Sequence, residues 1–76
     1  MNQKRRKQIE KLLKQLETIK ASIEDIQEEE QEAIDNLPES LQDGDRAQAM
    51  SEAVDNLENA AGELDEVISS LEEAMV

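Results

Sequence analysis

The chain has 76 residues, 37% apolar and 37% charged, with a formal net charge of −12 and no Phe, Tyr, Trp, Cys or His. The commonest zinc, copper and haem ligands are therefore missing, as are the usual acid–base and thiol nucleophiles, and no disulfide framework marks an oxidising compartment. Apolar runs are short, as at Leu12-Leu13 and Val67-Ile68, so neither a membrane span nor a signal-peptide core is expected and a cytoplasmic protein is the default.

The first half is organised by one period. Ile9, Leu12, Leu16, Ile19, Ile23, Ile26, Glu30, Ala33 and Leu37 are spaced alternately by three and four residues, a heptad seam with a at Ile9 and d at Leu12. This predicts a helix over about residues 4–36. Glu30 is the one charged member, and burying a lone carboxylate is costly. The first expectation is that the seam drifts, turning Glu30 outward while Ile26 and Ile34 take over. A role in fixing register comes second, and a site near the loop with Arg46 as counter-ion third.

Residues 37–45 form the connection. Pro38 disfavours helical geometry at Leu37, so the first helix should stop near Asn36. Pro38 to Gln42 has room for a single helical turn. Asp43-Gly44 is turn chemistry, and Asp45 with Gln48 has the spacing of a capping box for the next helix.

A second helix is predicted over about 46–74. Its seam, from Ala47 through Met50, Val54, Leu57, Ala61, Leu64, Ile68 and Leu71 to Met75, is apolar throughout. Folding about the short connection makes the helices antiparallel. It pairs Ile9 with Met75, Leu16 with Ile68 and Ile23 with Ala61, and the d residues Leu12, Ile19, Ile26 and Ala33 with Leu71, Leu64, Leu57 and Met50. The fold class is thus all-α, an antiparallel two-helix coiled-coil hairpin in a single unit, 1–76. A two-helix hairpin has a thin core. Further apolar positions, Leu13 and Ile34 on the first helix and Ala53, Ala60, Val67 and Ala74 on the second, are the expected oligomer interface. The economical assembly is a four-helix-bundle dimer, with larger homo-oligomers as the alternative. Gly62 within the second helix points to close approach of another helix, or else a local bend.

Charge is unevenly placed. Residues 1–20 carry seven basic and two acidic side chains, net +5, whereas from Glu24 to Glu58 thirteen acids stand against Arg46 alone, net −12. Hairpin folding sets the basic segment beside the five acids of 63–76, so the open end comes out near neutral. The basic run Lys4-Arg5-Arg6-Lys7 is expected to pair with those acids. With no aromatic side chain for base stacking, direct nucleic-acid binding is not expected. The acidic loop end has two readings: a solvated face that helps fix orientation, or a head that attracts a basic protein surface. On the second reading Glu30, Asp35, Glu39, Asp43 and Asp45 represent the partner-binding surface. No EF-hand spacing, phosphate-cradling glycine loop or nucleophile–base constellation occurs, so no cofactor, metal, membrane contact or catalysis is expected.

The stretch Glu28-Glu29-Glu30-Gln31-Glu32-Ala33, followed by Asp35-Asn36-Leu37-Pro38-Glu39-Ser40-Leu41-Gln42, resembles small acidic helical-hairpin proteins of bacteriophages and prophages, mainly of Firmicutes. The resemblance spans about residues 24–60 and carries no site residues over. It implies a phage accessory protein in the host bacterial cytoplasm. The leading expectation is a homo-oligomeric binding protein that inhibits or modulates a host protein, for instance in counter-defence as an anti-CRISPR or DNA mimic does. The alternatives are an oligomeric sponge for a nucleotide immune signal and a structural coiled coil in a replication or virion assembly.

Overall fold

The computed structural model describes residues 1–76 as a long helix α1 (Gln3–Asp35), a 3-10 turn (Glu39–Leu41) and a second long helix α2 (Asp45–Ala74), with no strand. Asn2 starts α1: its backbone is extended and its Oδ1 accepts the Arg5 N–H at 2.9 Å. That satisfies one of the donors left open at a helix start. The heptad pattern does not reach Asn2, although an asparagine before the first turn is the signal for such a cap.

α1 ends where the proline demands it. Asn36 N–H donates to Glu32 O at 3.0 Å and Leu37 N–H to Ile34 O at 3.1 Å, after which Pro38 is extended (φ −55°, ψ 143°). Within the connection Leu41 N–H donates to Pro38 O at 2.8 Å, and Gln42 Nε2 donates to Leu37 O at 3.1 Å. These bonds occupy backbone groups that a short loop would otherwise leave to water.

The expected capping box at the start of α2 is not formed. Gly44 occupies the cap position, with extended backbone and no side-chain bond. Asp45 is already helical, one place too late for its carboxylate to act as the cap. It still lies in the first turn, where a negative charge suits the helix dipole.

α1 and α2 pack against each other in a rod measuring 59 × 15 × 11 Å. The buried residues are Ala47, Ala61 and Ile68, all from the a row of α2. Val54 and Met75 of that row, with Met50, Leu57, Leu64 and Leu71 of the d row, are half-buried. α2 therefore turns its predicted seam inward.

α1 does not. Its half-buried residues alternate between the a row (Ile9, Leu16, Ile23, Glu30) and the e row (Arg6, Leu13, Lys20, Gln27, Ile34). The expected d layers are displaced: Leu12, Ile19 and Ile26 are 47%, 49% and 52% exposed, and Ala33 is exposed too. At about 100° per residue this is a roll of about 50° from the predicted seam. The apolar arc of α1 covers a, d and part of e, more than a single neighbouring helix can cover. The aliphatic stems of Arg6 and Lys20 can lie along the seam with their charged heads at its edge. Leu13 and Ile34, assigned above to an outward strip, lie on this inward face. Glu30 does not drift outward. It stays half-buried, with Ile34 inside and Ile26 outside.

Gly62 is exposed, and a Cβ added there would meet nothing within 4 Å. Close approach of α1 therefore does not require it. No helix is long and apolar enough to cross a membrane.

Candidate functional site

The hairpin has two flanks, and one ion pair tells them apart. Lys20 Nζ lies 2.6 Å from Asp65 Oδ1. Both are e positions, so the e rows of the two helices share one flank. The d and g rows of α1 then share the other flank with the g row of α2. The hydrogen bond to Asp65, aided by its negative charge and those of Glu24 and Glu17, raises the Lys20 pKa above 10.5 despite some desolvation. This is the only ion pair within 4.0 Å in the chain. The basic run Lys4–Lys7 thus forms none with the acids of α2, contrary to expectation. The Nε of Arg6 is buried without any hydrogen-bond partner.

The acidic loop end is open to solvent. Asp35, Glu39, Asp43 and Asp45 are exposed and Glu30 is half-buried. Of these, Asp35 accepts a hydrogen bond from Gln31 Nε2 at 3.1 Å. Arg46 is exposed and pairs with neither Glu30 nor any other acid. α1 has no basic residue in its last turn, so Glu32 and Asp35 stand unscreened at the negative end of its dipole. Thirteen acids thus sit in a region whose lone cation neutralises none of them by contact.

The e-row flank carries a groove of about 310 Å³ lined by Glu24, Gln27, Glu28, Gln31 and Val54. Two carboxylates and two amides border it, a set of acceptors suited to a cationic side chain. The heptad pattern does not single out these residues. Gln27, an amide in a row that elsewhere faces α2, was the available signal.

The opposite flank is apolar. Leu12, Ile19 and Ile26 of α1 and Val67 of α2, which is 45% exposed, run along it. From the g row of α2, Ala53 and Ala60 are half-buried and Ala74 is exposed. One open groove of about 600 Å³ includes Met1, Arg5, Gln8, Leu12 and Gln15 in its lining, and a second, of about 500 Å³, is lined by Lys14, Gln15, Thr18 and Ile19. The hydroxyls of Thr18 and Ser22 donate to the carbonyls of Lys14 and Thr18, each at 3.1 Å. Neither hydroxyl is therefore left as an unpaired donor. No cluster of three or more acidic side chains is gathered closely enough to hold a metal ion. No family model, characterised protein or solved structure matches the chain.

Proposed function

We propose that the chain is a self-associating binding protein whose acidic loop end docks on a basic surface of another protein. The observation that carries this reading is the loop end itself, with thirteen acids between Glu24 and Glu58 and no ion pair among them. Such a concentration repels itself and weakens the hairpin that carries it. A partner of opposite sign relieves the repulsion and is drawn in faster by the field. Two stiff helices hold the carboxylates in place, so little ordering is lost on docking.

In the setting implied by the loop resemblance, the partner is a host protein and the outcome of binding is inhibition or modulation, as in counter-defence. Self-association is part of the same reading, supported by a core of three buried residues and by apolar side chains left half-exposed. A four-helix-bundle dimer is the smallest assembly that covers them.

Affinity capture from a bacterial lysate at low and high salt tests the acidic head. The native chain should retain a defined protein that salt releases. A variant with Lys at 30, 35, 39, 43 and 45 should lose it. Equal retention by both would sink the reading.

A further inference from the structure

We infer that the apolar flank is covered by a second copy of this chain, related by a two-fold axis perpendicular to the rod, so that the two acidic loops point in opposite directions. This specifies the self-association proposed above and rests on it.

Three observations converge on where the axis crosses. On α1 the three large apolar side chains of the exposed d row centre on Ile19, with Leu12 and Ile26 one heptad to either side and Arg5 and Ala33 beyond them. Beyond the polar g row of Gln8, Gln15, Ser22 and Glu29, the c row reads Lys4, Lys11, Thr18, Asp25 and Glu32, basic before Thr18 and acidic after it. Two α1 helices packed antiparallel about this point set Leu12 against Ile26 of the second copy, Lys11 against its Asp25 and Lys4 against its Glu32. The apolar row centres on Ile19 and the charged row on Thr18, within one residue of each other.

α2 supplies the third observation independently. Its outward g row has Val67 as the one large apolar side chain, with Ala60 and Ala74 a heptad to either side. An axis at Val67 places that residue against its own copy and Ala60 against Ala74 of the other chain. The Lys20–Asp65 pair fixes the levels of the two helices: two residues back from Lys20 is Thr18, and two residues on from Asp65 is Val67. One axis therefore serves both helices. It also falls at the middle of α1, which spans Gln3–Asp35, so the overlap along that helix is complete.

Charge selects this arrangement over the other two-fold packing. An axis parallel to the rod would set the two loop ends, each net −12 by sequence, side by side. The perpendicular axis sets each loop end over the near-neutral open end of the other copy. The c row of α2 bordering the face, Ala49, Asn56, Glu63 and Ser70, holds one charge, although the chain as a whole is strongly acidic. Like charges thus stay out of the contact. The product is a rod with an acidic head at each end, able to engage two basic surfaces at once.

Sedimentation equilibrium of the full chain should return twice 8.6 kDa. The chain has no cysteine, so single introduced cysteines report the geometry under mild oxidation. Val67→Cys and Ile19→Cys should each yield a covalent dimer. Leu12→Cys, which faces position 26, and Ser69→Cys, on the far side of α2, should not. Lys11→Asp should weaken the dimer by roughly tenfold, and Asp25→Lys in the same chain should restore it. This second variant pair lies outside the apolar row and does not depend on folding with an altered core. A mass of 8.6 kDa at every concentration overturns the inference. So does a failure of Asp25→Lys to rescue. A third overturning result is cross-linking that appears only when the Ile19→Cys and Val67→Cys chains are mixed, the signature of loops at the same end. None of these readouts involves a basic partner, so dimer geometry and acidic head can fail separately.

Discussion

The two flanks of the hairpin show what a two-helix protein can and cannot complete by itself. The e-row flank leaves no large apolar side chain exposed: Lys20 meets Asp65, and the half-buried Gln27 and Arg6 border the seam. The d/g flank ends in Leu12, Ile19, Ile26 and Val67, each about half exposed. The difference is one of roll. Turning α1 toward its d row would bury Leu12, Ile19 and Ile26 against α2 and expose Leu13 and Ile34 in their place. Either orientation leaves apolar surface over, because the arc on α1 is wider than one neighbouring helix can cover. The surplus is what a further helix would use.

The largest effect is expected in the strip both flanks share. Ile68→Ala removes the largest of the three buried side chains and should cost about 2–4 kcal/mol in chemical denaturation. A loss below about 1 kcal/mol would mean that α2 does not anchor the hairpin as described.

Next comes the unfinished flank. In an isolated hairpin Ile19→Ser should cost only about 1 kcal/mol, since half the side chain is already wet. If the flank is covered by another chain, the loss grows, and the melting temperature, concentration-dependent in the native protein, loses that dependence in the variant. Melting curves over a wide range of protein concentration separate these outcomes.

Gly62→Ala probes the far side of α2. Nothing lies within 4 Å of an added Cβ, so the substitution should stabilise by about 0.5–1 kcal/mol through helix propensity alone. Destabilisation would reveal a helix seated there and would redraw the e-row flank.

The Lys20–Asp65 pair should give a smaller, pH-dependent contribution. The raised Lys20 pKa means that its stabilisation is fully present below the ordinary value of 10.5 and is lost as pH rises through the higher folded-state value. Alkaline melts of the native chain and of Asp65→Asn should converge above that range, with the variant less stable at neutral pH. Parallel curves throughout would show that the pair contributes nothing.

Smallest of all, Gly44→Ser supplies the missing cap of α2 and should add a few tenths of a kcal/mol, about the usual difference between serine and glycine at that position. The backbone there has negative φ, so serine is not strained, and thermal melts can resolve the sign.

Much of this molecule was legible in the sequence because its signals are local. Heptad spacing implied two helices, Pro38 marked where the first must stop, and the short connection made them antiparallel. The acidic loop end was equally legible, since charge along a rod follows from chain position once the hairpin folds. The misses were decided by competition between neighbouring choices. Asp45 and Gly44 both suit a cap, and the backbone took Gly44. Glu30 was expected to turn out, yet Ile34 beside it in the e row came in, and the roll that admitted Ile34 kept Glu30 half-buried. The acceptor groove around Gln27 was missed for the same reason, because its residues line one groove only at that roll.

What the sequence determined by itself, then, is the pair of helices, their ends to within a residue, and the charge at each end of the rod. These follow from spacing, proline geometry and counting. Which of two adjacent apolar rows of α1 faces α2 was left to tertiary structure, because the d row and the mixed e row stand on either side of the same a row. Only packing against α2, with Lys20 reaching Asp65 across the seam, broke that tie. It left Leu12, Ile19 and Ile26 on the outside.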